Sequence, residues 1–147
     1  MALTGDYAPL SPQSWVAEQI QKWEASGGTD GINLVGTDLP CVIVVNRGAK
    51  SGLLQRTPLM RVEHDGTYLA VGSKGGAPKN PAWVNNVRTN PEVEVWDGPS
   101  KMDLTARELS GDERALWWER AVAAFPNYAD YQQKTERLIP IFALESK

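Results

Sequence analysis

RTPLMRVEHDGTYLAVG, residues 56–72, decides the fold class. Two runs, Arg56 to Glu63 and Thr67 to Gly72, flank His64-Asp65-Gly66, and Asp-Gly between such runs is a strong hairpin signal. The two runs are therefore predicted to be antiparallel neighbours. Strands that follow strands disfavour a doubly wound parallel sheet.

Working outward, CVIVVN from Cys41 to Asn46 is continuously apolar and β-branched, which predicts a strand buried on both faces. On the far side, Glu92 to Trp96 and Lys101 to Leu109 alternate about Asp97-Gly98-Pro99, with Met102, Leu104 and Ala106 on one face. That pattern predicts a second, half-exposed hairpin. Between the hairpins, Asn80 or Pro81 opens a short helix, PAWVNNVRT, closed by Asn90-Pro91.

Toward the N-terminus, Ser11-Pro12 marks a helix start, Val16, Ile20 and Trp23 share one face, and Gly27-Gly28 ends the helix. Toward the C-terminus, Ser110 with Glu113 predicts a capping box for DERALWWERAVAAF, which Pro126 stops. A shorter helical piece, NYADYQQKTERL, then precedes a last strand, PIFAL. Antiparallel hairpins with bracketing helices and a small inserted helix predict an α+β fold whose sheet closes on itself as a small barrel.

At 147 residues and 41% hydrophobic, the chain suits one globular domain, residues 1–147, with the first ten residues loose. Cys41 is the only cysteine, so a disulfide framework is excluded and a reducing compartment is expected. MALTGDYAPLSPQSW lacks the basic and apolar regions of an export signal, and no apolar run approaches the roughly 20 residues of a membrane span. A cytoplasmic protein is expected. Trp15, Trp23, Trp117 and Trp118 are assigned first to the core, with a subunit interface (monomer or homodimer) or peripheral contact with a membrane as alternatives.

Charge is unevenly spread. The net charge is −3, yet between Arg47 and Arg88 seven basic residues face only Glu63 and Asp65, a local balance of +5 that leaves −8 for the rest. A basic middle in an acidic chain points to a local anionic ligand and away from nucleic acid, which needs a broad positive surface. Solvated surface charge is the alternative.

Several chemistries fail on spacing. RGAKSG lacks the two glycines of a P-loop, and Gly72, Gly75 and Gly76 do not have dinucleotide-fingerprint spacing. The sole histidine, His64, sits in a turn, so neither a metal site nor a Ser-His-Asp hydrolase is expected.

What remains is a pair of loops, RGAKSGLLQR and GSKGGAPK, each following a strand and each rich in backbone N–H groups, hydroxyls and cations. Such loops bind phosphate or carboxylate without a metal. Lys50, Ser51, Arg56, Lys74 and Lys79 would supply charge-assisted contacts. Trp83 would wall an aromatic ring system opposite Pro58, Leu59 and Met60; a plain core tryptophan is the alternative. Tyr128 and Tyr131 lie one turn apart, where a phenol would protonate a reacting acceptor or simply pack.

At these residues the chain resembles the deazaflavin (coenzyme F420)-dependent nitroreductase family, a branch of the flavin/deazaflavin oxidoreductases with a split β-barrel. The matching segments are GAKSGLLQRTPLMRVEHDGTYLAVGSKGGAPKNPAWVNNVRTNPEVEV, LTARELS and FPNYADYQQKTERLIPIFAL, with SWVAEQIQKWEASGG less specific. The resemblance implies binding of reduced coenzyme F420, whose phospholactyl-oligoglutamate tail is anionic and whose deazaflavin ring donates hydride from C5. By motif position, Lys50, Ser51, Gly52, Arg56, Lys74 and Lys79 would line the tail site, and Pro58, Leu59, Met60, Gly72, Ser73, Trp83 and Asn86 the ring. Ser73, Tyr128 or Tyr131, or alternatively water, would be the proton donor to a quinone, activated alkene or nitro compound.

Nitroimidazole-reducing members carry tyrosine where this chain has Phe125, and Met60 replaces another aromatic. A related barrel that uses FMN has a shorter phosphate tail, which leaves the second lysine loop without a partner. A noncatalytic carrier or sensor of F420 or FMN is the alternative to a reductase.

Overall fold

The computed structural model describes residues 3–10, 15–33, 39–76 and 78–146. Its strands are β1 Cys41–Arg47, β2 Leu54–Met60, β3 Glu63–His64, β4 Thr67–Val71, β5 Glu92–Asp97, β6 Ser100–Glu108 and β7 Ile141–Glu145. Its α-helices are α1 Trp15–Ser26, α2 Ala82–Thr89, α3 Gly111–Ala124 and α4 Asn127–Gln133, with a single 3-10 turn at Lys74–Gly76. The pairings between these strands are antiparallel, in the order β2-β1-β5-β6-β7-β4-β3. The sheet curls into a half-barrel, the split β-barrel of an α+β fold.

The barrel follows from the doubly buried strand. On β1, Val42 and Val44 face a cluster with Val93, Val95, Leu104, Phe142 and Leu144 inside the curl. Ile43 and Val45 face outward onto Ile20 and Trp23 of α1, with Leu54 and Trp96. A third cluster packs Leu69, Val71 and Ile141 beneath Trp117, Ala121 and Phe125 of the C-terminal helices. Each fully buried Val, Leu or Phe stabilises the fold by about 1.5–3 kcal/mol relative to exposure. α2 adds Trp83, Val84 and Val87 to the interior cluster, at the spacing of one helix face. Trp23 and Trp117 are buried and Trp118 packs on the third cluster, as their assignment to the core requires.

α1 ends where predicted. Gly27 and Gly28 have φ of 67° and 90°, and Gly28 N–H bonds the Trp23 carbonyl at 2.9 Å. A Cβ on Gly28 would stand 2.1 Å from the Gly98 carbonyl oxygen, so the helix end sits directly against the β5–β6 turn. The predicted helix start at Ser11-Pro12 lies outside the described residues. Residues 3–10, expected to be loose, run beside β2: Leu54 bonds Asp6 and Ala8 through its N–H and C=O, and Arg47 Nη2 donates to the Thr4 carbonyl at 2.6 Å.

Two expectations need correction. The run from Arg56 to Glu63 is not one strand of a long hairpin. β2 pairs with β1 from Leu54 through Met60, and only Glu63 and His64 pair with β4. The chain turns at Arg61-Val62 because β2 and β3 lie at opposite ends of the curled sheet. Pro58 fits this placement. Leu54 directs its backbone groups away from β1, so by alternation Pro58 does too, and its missing N–H costs no ladder bond.

The capping box also fails. Ser110 is the N-cap of α3 in extended conformation, but its side chain makes no cap hydrogen bond. Glu113 is taken by Arg107, whose Nη1 and Nη2 donate to its carboxylate at 2.7 and 2.8 Å. A bidentate ion pair outcompetes the reach back to a backbone N–H. Among the described residues, no helix is long and apolar enough to cross a membrane.

Candidate active site

The cleft opens where β1, β2 and β4 hand over to α2 and α4. It consists of two abutting cavities with Thr57 and Trp83 lining both. The first, of about 350 Å³, is mainly apolar and is walled by Pro58, Leu59 and Met60 on one side and Phe125, Tyr128 and Tyr131 on the other, with Cys41, Ser73 and Lys74 completing it. The second, of about 450 Å³, carries more polar groups than the first and is walled by the β1–β2 loop at Gly48–Ser51, by Gln55, and by Asn46, Asn85 and Asn86.

Trp83 is the partition. Its ring is buried and meets Phe142 edge-on, with centroids 5.6 Å apart. α2 holds it there because Pro81, at φ −61°, precedes the first helical residue, and Asn90 N–H closes the last turn on the Asn86 carbonyl at 2.8 Å. Trp83 therefore packs in the core and lines both cavities at once.

The polar side is ordered by Asn86, which is buried. Its Oδ1 accepts from Ala49 N–H at 2.9 Å and its Nδ2 donates to Asn46 Oδ1 at 2.8 Å. This fixes the loop from which Lys50 reaches the cavity, and Ser51 Oγ accepts from Leu53 N–H at 3.1 Å within the same turn. Asn86, expected beside the ring, lines the second cavity together with Trp83 and the β1–β2 loop.

Across the cleft, Ser73 is buried at the end of β4, and Lys74 adopts φ 46°, a left-handed conformation. Arg137 holds this corner: Nη1 donates to the Gly72 carbonyl at 3.1 Å and to Asn80 Oδ1 at 2.7 Å, and Nη2 donates to the Ser73 carbonyl at 2.8 Å. The 3-10 turn leans on α4 so closely that a Cβ on Gly76 would lie 2.7 Å from the Tyr131 carbonyl oxygen.

Phe125, Tyr128 and Tyr131 form an aromatic wall. Phe125 meets Tyr128 edge-on at 5.0 Å between centroids, and Tyr128 meets Tyr131 at 6.3 Å. Burial, aided by Cys41 and Tyr131 nearby, pushes the Tyr128 phenol above its ordinary value, so it stays protonated. Burial likewise pushes the Cys41 thiol up, which keeps the neutral form beside the cleft.

Not every expected residue lines the cleft. Gly52, Arg56, Gly72 and Lys79 line neither cavity. Arg56 faces α1, opposite to Gln55 and Thr57 on β2; it pairs with Glu24, and its guanidinium lies 4.3 Å from the centre of the Tyr7 ring. Gly72 is buried under Val84 and Pro140. Lys79 is exposed. Conversely, Thr57, Gln55, Asn46, Asn85 and Arg137 were not anticipated. Gln55 and Thr57 carry a usable signal, since they alternate with Arg56 on a strand whose other face is committed to α1.

A family model described as F420H(2)-dependent quinone reductase matches residues 15–146. The chain belongs to that family. It is an F420-dependent reductase with coenzyme F420 as its cofactor. An F420H(2)-dependent quinone reductase of Mycobacterium tuberculosis (strain ATCC 25618 / H37Rv) is 31% identical over 125 residues, covering 83% of each chain. A solved F420-H2 dependent reductase, FDR-A, is 53% identical at a TM-score of 0.69 over 75% of this chain and 100% of its own. A solved domain-swapped dimer is 51% identical at a TM-score of 0.72 over 92% and 100%.

The walls fit the cofactor in chemical type. An anionic tail calls for the cation, hydroxyl and amide donors of the polar cavity, and a flat deazaflavin calls for Trp83, Pro58 and Leu59 on the apolar side.

Proposed function

We propose that the protein reduces quinones with F420H2 in this cleft. The observation that carries the reading is the abutment of a cavity lined by Lys50, Ser51 and asparagine amides with a more apolar, tyrosine-lined one across Trp83. A charged tail and a flat redox ring need such a pair of compartments side by side, and a quinone shares the apolar one.

When bound, the reduced cofactor supplies a hydride from C5 of its deazaflavin. The chain's own residues do the rest. Lys50 and Ser51 hold the anionic tail. Trp83, Pro58 and Leu59 fix the plane of the ring and exclude water. Tyr128, kept neutral by burial, donates a hydrogen bond to the acceptor oxygen and so stabilises charge that develops there. Tyr131 or Ser73, nearer the rim and the loop, delivers the proton. Activated alkenes and nitro compounds are further acceptors of the same electronic type. Similarity to a domain-swapped dimer supports a homodimer as the working assembly.

The test is a titration with oxidised F420 and, separately, FMN, at two salt concentrations, followed by mixing the F420H2-loaded protein with a quinone and recording cofactor absorbance. Selective, salt-weakened binding of F420 with stoichiometric oxidation by the quinone is expected. Binding without oxidation would mark a carrier, and a preference for FMN would overturn the cofactor assignment to this cleft.

A further inference from the structure

Asn46 ends the apolar run of β1 with a fully buried side chain, 0% exposed. A buried amide must make its hydrogen bonds, and here the backbone dictates which way it turns. The Val44 carbonyl can only accept, so Asn46 Nδ2 faces it at 3.2 Å. Ala49 N–H can only donate, so Asn86 Oδ1 faces it, and Asn86 Nδ2 therefore meets Asn46 Oδ1. The remaining Asn46 N–H points at Thr57 Oγ1, 3.3 Å away. Every link in this series has a fixed direction.

Its last link leaves the Thr57 oxygen occupied as an acceptor, so the hydroxyl proton turns elsewhere. Among the described residues no acceptor takes it. Thr57 also lines both cavities, at the seam beside Trp83.

We propose that Thr57 is a specificity-determining hydrogen-bond donor, oriented by Asn46 toward an acceptor oxygen of the bound cofactor at the seam between the apolar and polar cavities. The inference rests on the cofactor reading above and adds a residue and a polarity to it. The seam favours a carbonyl, hydroxyl or phosphate oxygen and disfavours a group that can only donate. Asn46 is a positioning residue: it acts through Thr57.

The experiment is a fluorescence titration of the full chain with oxidised F420, comparing wild type with Thr57→Val and Thr57→Ser, and thermal unfolding of each as the folding control. Thr57→Val is expected to weaken binding about three- to ten-fold, the worth of one hydrogen bond, and Thr57→Ser to retain wild-type affinity. Asn46→Ala is expected to cost less affinity in the Thr57→Val background than in wild type, because the share transmitted through the hydroxyl is already gone. Wild-type binding that Thr57→Val leaves unchanged would overturn this inference alone. Equal costs of Asn46→Ala in both backgrounds would remove the positioning role. Failure of the wild type to bind F420 would overturn the cofactor reading and this proposal together.

Discussion

Tyr68 on β4 donates its phenolic hydrogen bond to Asp97 at the end of β5, 2.5 Å away, although β6 and β7 separate the two strands in the sheet. Arg61, in the link between β2 and β3, meets the same carboxylate with Nε 3.1 Å from both oxygens. These bonds tie β4 and the β2–β3 link to the end of β5.

They also give alkaline stability a sign. Burial first, then the bond to Asp97, raise the Tyr68 phenol to about 12, whereas an unfolded tyrosine titrates near 10. Between those values the folded chain keeps a proton that the unfolded chain releases, so stability is complete below about pH 10 and falls as pH rises toward 12. Urea unfolding across this range is expected to show that slope, and Tyr68→Phe to reduce it.

Lys50 and Arg56 separate binding from stability. Lys50 reaches the polar cavity, while Arg56 is committed to Glu24 and Tyr7. Lys50→Ala is expected to weaken F420 binding about ten-fold and to flatten its salt dependence. Arg56→Ala is expected to change affinity less than two-fold and to destabilise the α1 side by about 1 kcal/mol, read from urea midpoints.

Tyr128→Phe removes the donor without altering the shape of the aromatic wall. A fall in kcat of about ten-fold with unchanged cofactor affinity is expected. Because burial holds the wild-type phenol neutral, the pH profile of kcat is expected to show no descending limb from Tyr128 below about pH 10.

Arg137 anchors the Gly72–Asn80 corner through two carbonyls and one amide oxygen. Arg137→Ala is expected to speed amide hydrogen exchange in residues 72–80 and to raise the quinone KM several-fold. Arg137→Lys is expected to rescue little, since an ammonium cannot present the same planar fork.

What was legible in the sequence is local. Asp65-Gly66 and Asp97-Gly98-Pro99 announce their turns because the backbone there needs particular residues, and CVIVVN announces burial on both faces because nothing polar interrupts it. The β1–β2 loop and the aromatic wall that line the cleft were legible as composition. Pairing partners were not: nothing in Arg56 to Glu63 says that Met60 pairs with β1 and Glu63 with β4. Arg56 was misplaced because charge carries no indication of which face of a strand bears it; only the Glu24 partner on α1 decides. Arg137 was missed for a similar reason, since its ligands are main-chain carbonyls 64 and 65 residues away. Ser110 and Glu113 satisfied a motif that a stronger partner six residues from Glu113, Arg107, dissolved.

Pro58 has a second consequence. It walls the cleft, and it also lies on the outermost strand with its ring where a free N–H would otherwise face outward. Another polypeptide that tried to extend the sheet along this border would find Leu54 already engaged by residues 6–8 and no donor at Pro58. The residue that helps shape the cleft is thus a guard against edge-to-edge aggregation, and its replacement by a strand-forming residue such as valine would unblock that border.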